Sequence, residues 1–436
     1  MHFIHGVTCG SDCLVPHEGP LAPFFAVLKR WPLCFASVCV LLGVTQVQAS
    51  DYILKPSLAI SEEYTDNVFE SVQNKRPEYI TRVQPGLSYI YKAPLWDWDL
   101  GYVFDYRNYA RGSHSDEITH TGNVKGLLKL VDERLNLDLM DSYQRVSLNI
   151  ARDATQESLF LNQTDQNIAT ISPYLLWHPG EKTTLKTGYR FIDTRYWGEG
   201  IEKQEHVAFA NLNHELTSKF SMQADYAFSK TRTTSVNFDR HDLSGGFRYN
   251  YADKSFLFGS LGNSWQIFSS GNNVSNLFWS AGITHDLSIF VLTLETRVQF
   301  AEDPLSNSTK ETSYSGKLDR ELKRGAIGLF SSYTEYVITQ TGAQDWNRLA
   351  FGASGRYEVL PKLTANLEAT AERFSQKTAA DYPYRFTGTG GLNYAFNHDI
   401  TLGLTYIYVT NVYDLDNMSA GAKEINRAMV EVKKVF

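Results

Sequence analysis

The chain has 436 residues, of which 43% are hydrophobic and 13% aromatic, and its formal net charge is −7. It is too long for one small soluble core and comfortable for one large barrel, and its acidic balance offers no basic surface to nucleic acid. All four cysteines, Cys9, Cys13, Cys34 and Cys39, precede residue 50, so the rest of the chain has no disulfide, zinc–thiolate site, Cys-linked haem or Cys nucleophile.

The first 49 residues read as an N-terminal extension plus a cleavable export signal. Lys29 and Arg30 form the positive region, and Trp31 to Val44 is an apolar stretch too short to span a bilayer comfortably. Small residues around Val47-Gln48-Ala49 place the cut after Ala49. Residues 1–28 are polar for much of their length, which points to true initiation near Val27 or Leu28.

After Ala49 no apolar run approaches the ~18 residues of a transmembrane helix. Alternation appears instead. An opening strand lies near Ile53–Tyr64. In Asp97–Arg107, Trp98, Leu100, Tyr102, Phe104 and Tyr106 share one face, while Asp97, Asp99, Asp105 and Arg107 share the other. Phe220–Ser229, Phe290–Phe300 and Leu363–Glu372 repeat the pattern, and a closing strand runs from about Asn426 to Phe436. Such segments suit strands with one greasy and one wet face.

Short turns are expected at Ala93–Leu95, Asp132–Glu133, Pro179–Glu181, Thr217–Ser218, Ala252–Asp253, Asp286–Leu287, Lys323–Arg324, Val359–Pro361 and Asn397–His398. Longer polar connections lie between them, at Asn67–Glu78, Ala110–Glu117, Ser147–Gln166, Thr231–Asp239 and Thr410–Lys423. Descending strands begin near residues 167, 205, 240, 275, 310, 346 and 383, at intervals of 35 to 38 residues. Alternating short and long connections, high aromatic content and an export signal predict an all-β fold. It is a transmembrane antiparallel up-and-down β-barrel of the Gram-negative outer-membrane type, with about 20 strands (18–20) spanning residues 50–436 as one domain. A soluble β-sandwich or propeller would lack these outward aromatic faces and would show a blade repeat.

A barrel of that size is too wide for side chains to fill, so its lumen should hold water. Parity assigns the inward charges. The basic ones are Arg82, Arg107, Lys125, Lys129, Lys186, Arg190, Arg248, Arg297, Lys317 and Arg356, joined by Arg348 and Arg385. The acidic ones are Asp99, Asp105, Asp225, Glu295, Asp319, Glu368 and Glu372, joined by Asp97, Asp138 and Glu321. The signs nearly balance, whereas anion selection would call for a ring biased to Arg and Lys. Trp197 and Trp346 could stack on sugars, although an interface belt is their more ordinary place. No nucleophile elbow, P-loop, H-E-x-x-H or dinucleotide fingerprint occurs. His114, His120, His206, His241 and His285 stand singly, and Asp381, Asp414, Asp416 and Asn417 sit in loops where solvation explains them. The chain therefore reads as a non-enzyme without cofactor or metal.

Two stretches carry a family likeness. Glu62-Glu63-Tyr64-Thr65-Asp66-Asn67-Val68-Phe69 ends the first strand, and Ile80-Thr81-Arg82-Val83-Gln84-Pro85-Gly86-Leu87 opens the second. The pattern resembles the EpsL-like outer-membrane β-barrel porins, which are associated with exopolysaccharide and exosortase/PEP-CTERM gene clusters. Read from the residues alone, Asp66-Asn67 is a turn former, and Pro56 and Pro85 suggest bulges or strand starts. Phe436, with Val432, Val430 and Ala428 in register, is similar to the terminal signal read by the barrel assembly machinery, with Lys434 departing from it. The resemblance implies a channel in contact with outer-membrane lipid that assists exopolysaccharide export, with polysaccharide as passenger and a periplasmic polysaccharide co-export protein as partner. A diffusion porin for small solutes and a sleeve around a periplasmic partner such as a cytochrome are the competing readings.

Overall fold

The computed structural model describes residues 50–131, 134–155, 158–271, 273–376, 382–415 and 421–436. The export-signal and start-site expectations, the four cysteines, the turn at Asp132–Glu133 and the loop residues Asp381, Asp416 and Asn417 lie outside the described residues.

The strands are β1 (Asp51–Thr65), β2 (Glu78–Lys92), β3 (Trp96–Tyr109), β4 (Glu117–Lys129), β5 (Leu135–Ser147), β6 (Gln163–Gly180), β7 (Thr183–Trp197), β8 (Lys203–Thr217), β9 (Phe220–Thr233) and β10 (Phe238–Ala252). They continue as β11 (Ser255–Phe268), β12 (Asn273–Asp286), β13 (Val291–Ala301), β14 (Thr309–Leu322), β15 (Gly325–Ile338), β16 (Ala343–Leu360), β17 (Leu363–Gln376), β18 (Tyr384–Ala395), β19 (Ile400–Val412) and β20 (Lys423–Val435). All pairs are antiparallel between chain neighbours, and β1 pairs with β20, so the 20-stranded sheet closes into a barrel. Closure leaves the sheet without a first or last strand whose whole edge would face lipid.

The short turns fall within a residue or two of their expected places, at 181–182, 218–219, 253–254, 323–324 and 361–362. The offset has a local cause. Lys254 and Lys362 adopt left-handed φ values of 53° and 72°, a conformation usually flagged in sequence by Gly or Asn.

The prolines correct one expectation, because neither makes a bulge or a strand start. The β1–β2 register runs unbroken from Asp51↔Lys92 to Thr65↔Glu78. The Pro56 carbonyl accepts the Phe436 N–H at 2.8 Å, so its missing donor lies at the open end of the β1–β20 seam. Pro85 interrupts the β2–β3 ladder between Val83↔Tyr106 and Gly86↔Val103 without shifting the register. Gly86 beside it leaves room for the Ser57 side chain, whose Oγ would stand 2.7 Å from a Cβ there.

The seam joins the two ends of the barrel. Nine rungs join β1 to β20, from Ser57↔Val435 to Thr65↔Arg427. Its upper end is clamped by the motif read in sequence. Asp66 accepts the Asn426 backbone N–H at 2.8 Å and its side-chain amide at 2.7 Å. Asn67, 1% exposed, donates to the carbonyls of Ser71 and Glu424 at 2.8 and 2.9 Å. Tyr64 stacks on Tyr79 at 5.1 Å, Thr65 and Val68 are buried, and Phe69 meets Phe160 at 6.2 Å. At the other end Phe436 is exposed on the outward face beneath Lys434. Asp66→Ala should therefore loosen closure by about 1–3 kcal/mol, the cost of stranding a backbone donor. The check is the temperature at which folded barrel converts to the slow-migrating unfolded band on a denaturing gel; an unshifted transition would assign the clamp no weight.

Candidate functional site: the lumen and its mouth

The strand registers sort side chains onto two faces. On the outward face lie Leu261, Leu277, Leu329, Phe351, Leu367, Leu404 and Val430, all large, apolar and exposed. In a bilayer this is the lipid surface. The same face carries a recurrent polar set. Tyr102, Tyr189 and Tyr226 share hydrogen bonds with Nδ1 of His120, His206 and His241 at 2.6, 2.5 and 3.0 Å. Phe104, Phe191 and Phe228, each two residues past the tyrosine, pack on those imidazoles. Trp197 joins this level, stacked on Tyr143 at 5.1 Å and half exposed. These rings form an interfacial belt with hydrogen bonds inside it.

The opposite parity faces inward. Register brings Arg82 opposite Arg107, Asp99 opposite Lys125, and Lys129 opposite Asn136. It likewise sets Lys186 opposite Asn211 with Asp225, Arg248 opposite Phe258, Glu295 opposite Ser315, and Arg297 opposite Ser313. Lys317, Asp319, Arg356 and Glu368 share that face with Ser354 and Asn366.

The inward charges fall into two tiers. Toward the short turns they stand in open space. Among the described residues, Asp99, Lys125, Arg190, Arg248, Glu295, Arg297, Arg356 and Glu368 make no ion pair, and the pairs present are Lys129–Asp97 at 3.2 Å, Lys186–Asp138 at 3.7 Å, Lys317–Asp319 at 3.0 Å and Arg324–Glu358 at 4.0 Å. Asp225 accepts from Asn211 at 2.7 Å, and Arg190 and Arg248 lie over Phe209 and Phe256. A cavity of about 710 Å³ follows this wall, lined among others by Asp319, Glu321, Arg356, Glu368 and Asn393.

Toward the long loops the charges lock together. Asp105 is held by Arg82 at 2.5 Å and Arg107 at 2.9 Å, Arg107 reaches Glu117 at 3.5 Å, and Glu117 reaches Arg145 at 2.5 Å. Across the ring, Glu372 and Arg385 are 3% and 0% exposed; Arg385 donates to one carboxylate oxygen and Arg348 to the other. A carboxylate removed from water is tolerable only when so saturated.

What buries that triad is the β5–β6 connection, 148–162, which crosses from its own hairpin to the far wall just inside the rim. Ala151, wholly buried, packs on Tyr336, Trp346 and Phe374. Arg152 donates to the Tyr382 carbonyl at 3.0 Å and to Asn411 Oδ1 at 2.8 Å, and Arg385 donates to the Asp153 carbonyl at 2.8 Å. On the near side Phe160 stacks on His114 at 4.6 Å. Trp346 therefore belongs neither to a belt nor to a sugar platform; it anchors this strap. A crevice of about 240 Å³ remains between the strap and the wall, bordered by Glu63, Arg82, Arg107, Arg145 and Arg427. Among the described residues no group of three or more metal-ligating side chains occurs.

No family model matches the chain, and no curated protein matches it. Solved structures do resemble it in fold. The FrpB iron transporter from Neisseria meningitidis (F3-3 variant) matches with a TM-score of 0.50 and 10% identity, over 91% of this chain and 83% of that one. The siderophore receptor PirA from Pseudomonas aeruginosa gives 0.50 and 11%, over 89% and 82%. The ferric enterobactin receptor PfeA from Pseudomonas aeruginosa gives 0.50 and 9%, over 90% and 82%. This chain is an outer-membrane-type β-barrel.

The strap gives the first functional test. Glu372→Gln removes the carboxylate that Arg385 and Arg348 share in a buried place, a loss of about 3–5 kcal/mol for a broken buried pair. The unfolding transition should fall and, where the barrel conducts, the pore should flicker more. An unchanged transition would show that the triad does not hold the strap down.

Proposed function

We propose that this protein is an outer-membrane channel that assists the export of exopolysaccharide, exported to its site through the N-terminal signal and inserted by the barrel assembly machinery. The observation that carries the reading is the lower lumen, whose wall of Asp319, Glu321, Arg356, Asn366, Glu368, Thr389 and Asn393 offers hydrogen bonds of both signs around about 710 Å³. Sugar hydroxyls donate and accept, so a mixed wall with several weak sites can hold and release them in turn, while a single-sign ring would select ions instead. The likeness of Tyr64–Phe69 and Pro85-Gly86 to the EpsL-like porins supplies the polymer. A periplasmic co-export protein would then deliver the chain end to the short-turn side.

A diffusion porin for small solutes is the second reading. The strap favours it, because a crevice of about 240 Å³ at the mouth suits a small solute better than a polymer in the form seen. A sleeve around a periplasmic protein has no specific observation in its favour.

Deleting the gene and measuring polysaccharide at the surface and in the periplasm separates the two. Loss of surface polymer with periplasmic accumulation, or arrested synthesis, is the expected result. Unchanged polymer in both places would overturn export, and swelling of liposomes in small sugars would then establish the porin.

A further inference from the structure

The wall is not paired along its full height. The β12–β13 register starts at Ser280↔Arg297 and runs only down to Asp286↔Val291. Above it, residues 273–279 pair with β11 alone and 298–301 with β14 alone. There the β13–β14 tip leaves the wall and turns into the lumen. Glu302 meets Lys203 at 2.8 Å, the Ile201 N–H donates to the Pro304 carbonyl at 2.7 Å, and Thr233 donates to Asn307 at 2.9 Å. Residues of outward parity on the tip now touch the inner wall: Lys310 donates to Asn276 at 3.4 Å, and Phe300 lies under Arg240.

Two independent observations mark this position as one of two. The first lies on the covered wall. Gln266 and Ser264 are wholly buried there, and neither amide atom of Gln266, nor the Ser264 hydroxyl, nor Asn276 Nδ2 has a hydrogen-bond partner. A native wall keeps such groups partnered or wet. The second lies in the strand pattern. Continued upward, the β12–β13 register would set Trp279 opposite Val298, Leu277 opposite Phe300 and Asn276 opposite Ala301. Apolar pairs would then fall on the lipid parity and Asn276 on the wet one, as a wall demands. The inward position buries Val298 to 3% exposure instead.

We propose that the β13–β14 tip is a gate, folded inward in the closed pore and zipped against β12 in the open one. Zipping adds ladder hydrogen bonds, returns Gln266 and Ser264 to water, and clears one side of the mouth. The exchange is against the contacts at Lys203, Ile201 and Thr233, so each position has bonds that the other lacks, as a two-state element requires. The gate rests on the channel reading given above.

The test uses the full chain with Cys9, Cys13, Cys34 and Cys39 replaced by serine. Asn276→Cys with Ala301→Cys traps the zipped register; Thr233→Cys with Asn307→Cys traps the inward one. Both pairs should oxidise to intramolecular disulfides, seen as reductant-sensitive gel shifts. In planar bilayers the first should hold conductance several-fold above the second, with reductant restoring a common value. Gln266→Cys alone, a mild change, should react with a bulky maleimide in the untrapped protein and stop reacting when the inward pair is locked. A 276/301 pair that stays reduced, together with an unreactive Cys at 266, would overturn the movement. A disulfide at 276/301 that leaves conductance unchanged would overturn gating. A barrel silent in every variant would instead sink the channel reading, while the disulfide pattern still decides whether the tip moves.

Discussion

Every backbone donor and acceptor that faces lipid must be bonded within the protein, and the seam between β1 and β20 is where this chain meets that demand last. Nineteen of the twenty junctions are between strands joined by a turn or loop, and such neighbours find each other cheaply. The twentieth joins residues some 370 positions apart, through nine rungs. Seen this way, Asp66 and Asn67 are a fastener. They bind Asn426 and Glu424 at the one place where no covalent connection keeps the strands in register. Behind them, Glu63 faces Arg82 at 3.8 Å and Arg427 at 3.9 Å, so closure also sets the charge network of the mouth.

Closure fixes the lumen, and the lumen divides by what covers it. Where water fills the barrel, Arg356 and Glu368 need no partner, because a solvated charge costs nothing to leave alone. Where the strap excludes water, Glu372 must be saturated by Arg348 and Arg385. The same residue types thus serve as solvation below and as anchors above, and burial alone decides which.

Much of this was legible in the chain. Period-two alternation and the 35–38-residue spacing carry strand number and parity, because a barrel repeats one rule along its whole length. Turn boundaries slipped where lysines occupy left-handed positions, a choice that leaves no mark in composition. The long connections were harder still. Ser147–Gln166 reads as an ordinary polar loop, and its anchoring residues Trp346, Glu372 and Arg385 lie some 190 to 230 positions downstream, a distance over which no periodicity speaks. His120, His206 and His241 looked solitary for a different reason: each partner tyrosine sits on the neighbouring strand, one diagonal away, where the alternation along a single strand does not show it.

The place where β4 and β5 part is related to the belt of rings outside. β4 and β5 stay paired only down from Gly122↔Tyr143, and above that rung Arg145 fills the fork between Glu117 and Asp165. Gly122 stands opposite Tyr102, the tyrosine of the first Tyr–His pair. The fork therefore opens at the height where the outward face turns from Leu and Val to His, Asp and Arg. Below that height an unpaired strand edge would face hydrocarbon and could not persist; above it, water and charged side chains can serve the exposed groups. The belt sets a ceiling on lipid there, and above it the sheet is free to release the β5–β6 strap into the lumen, giving up pairing at a level where pairing is not compulsory.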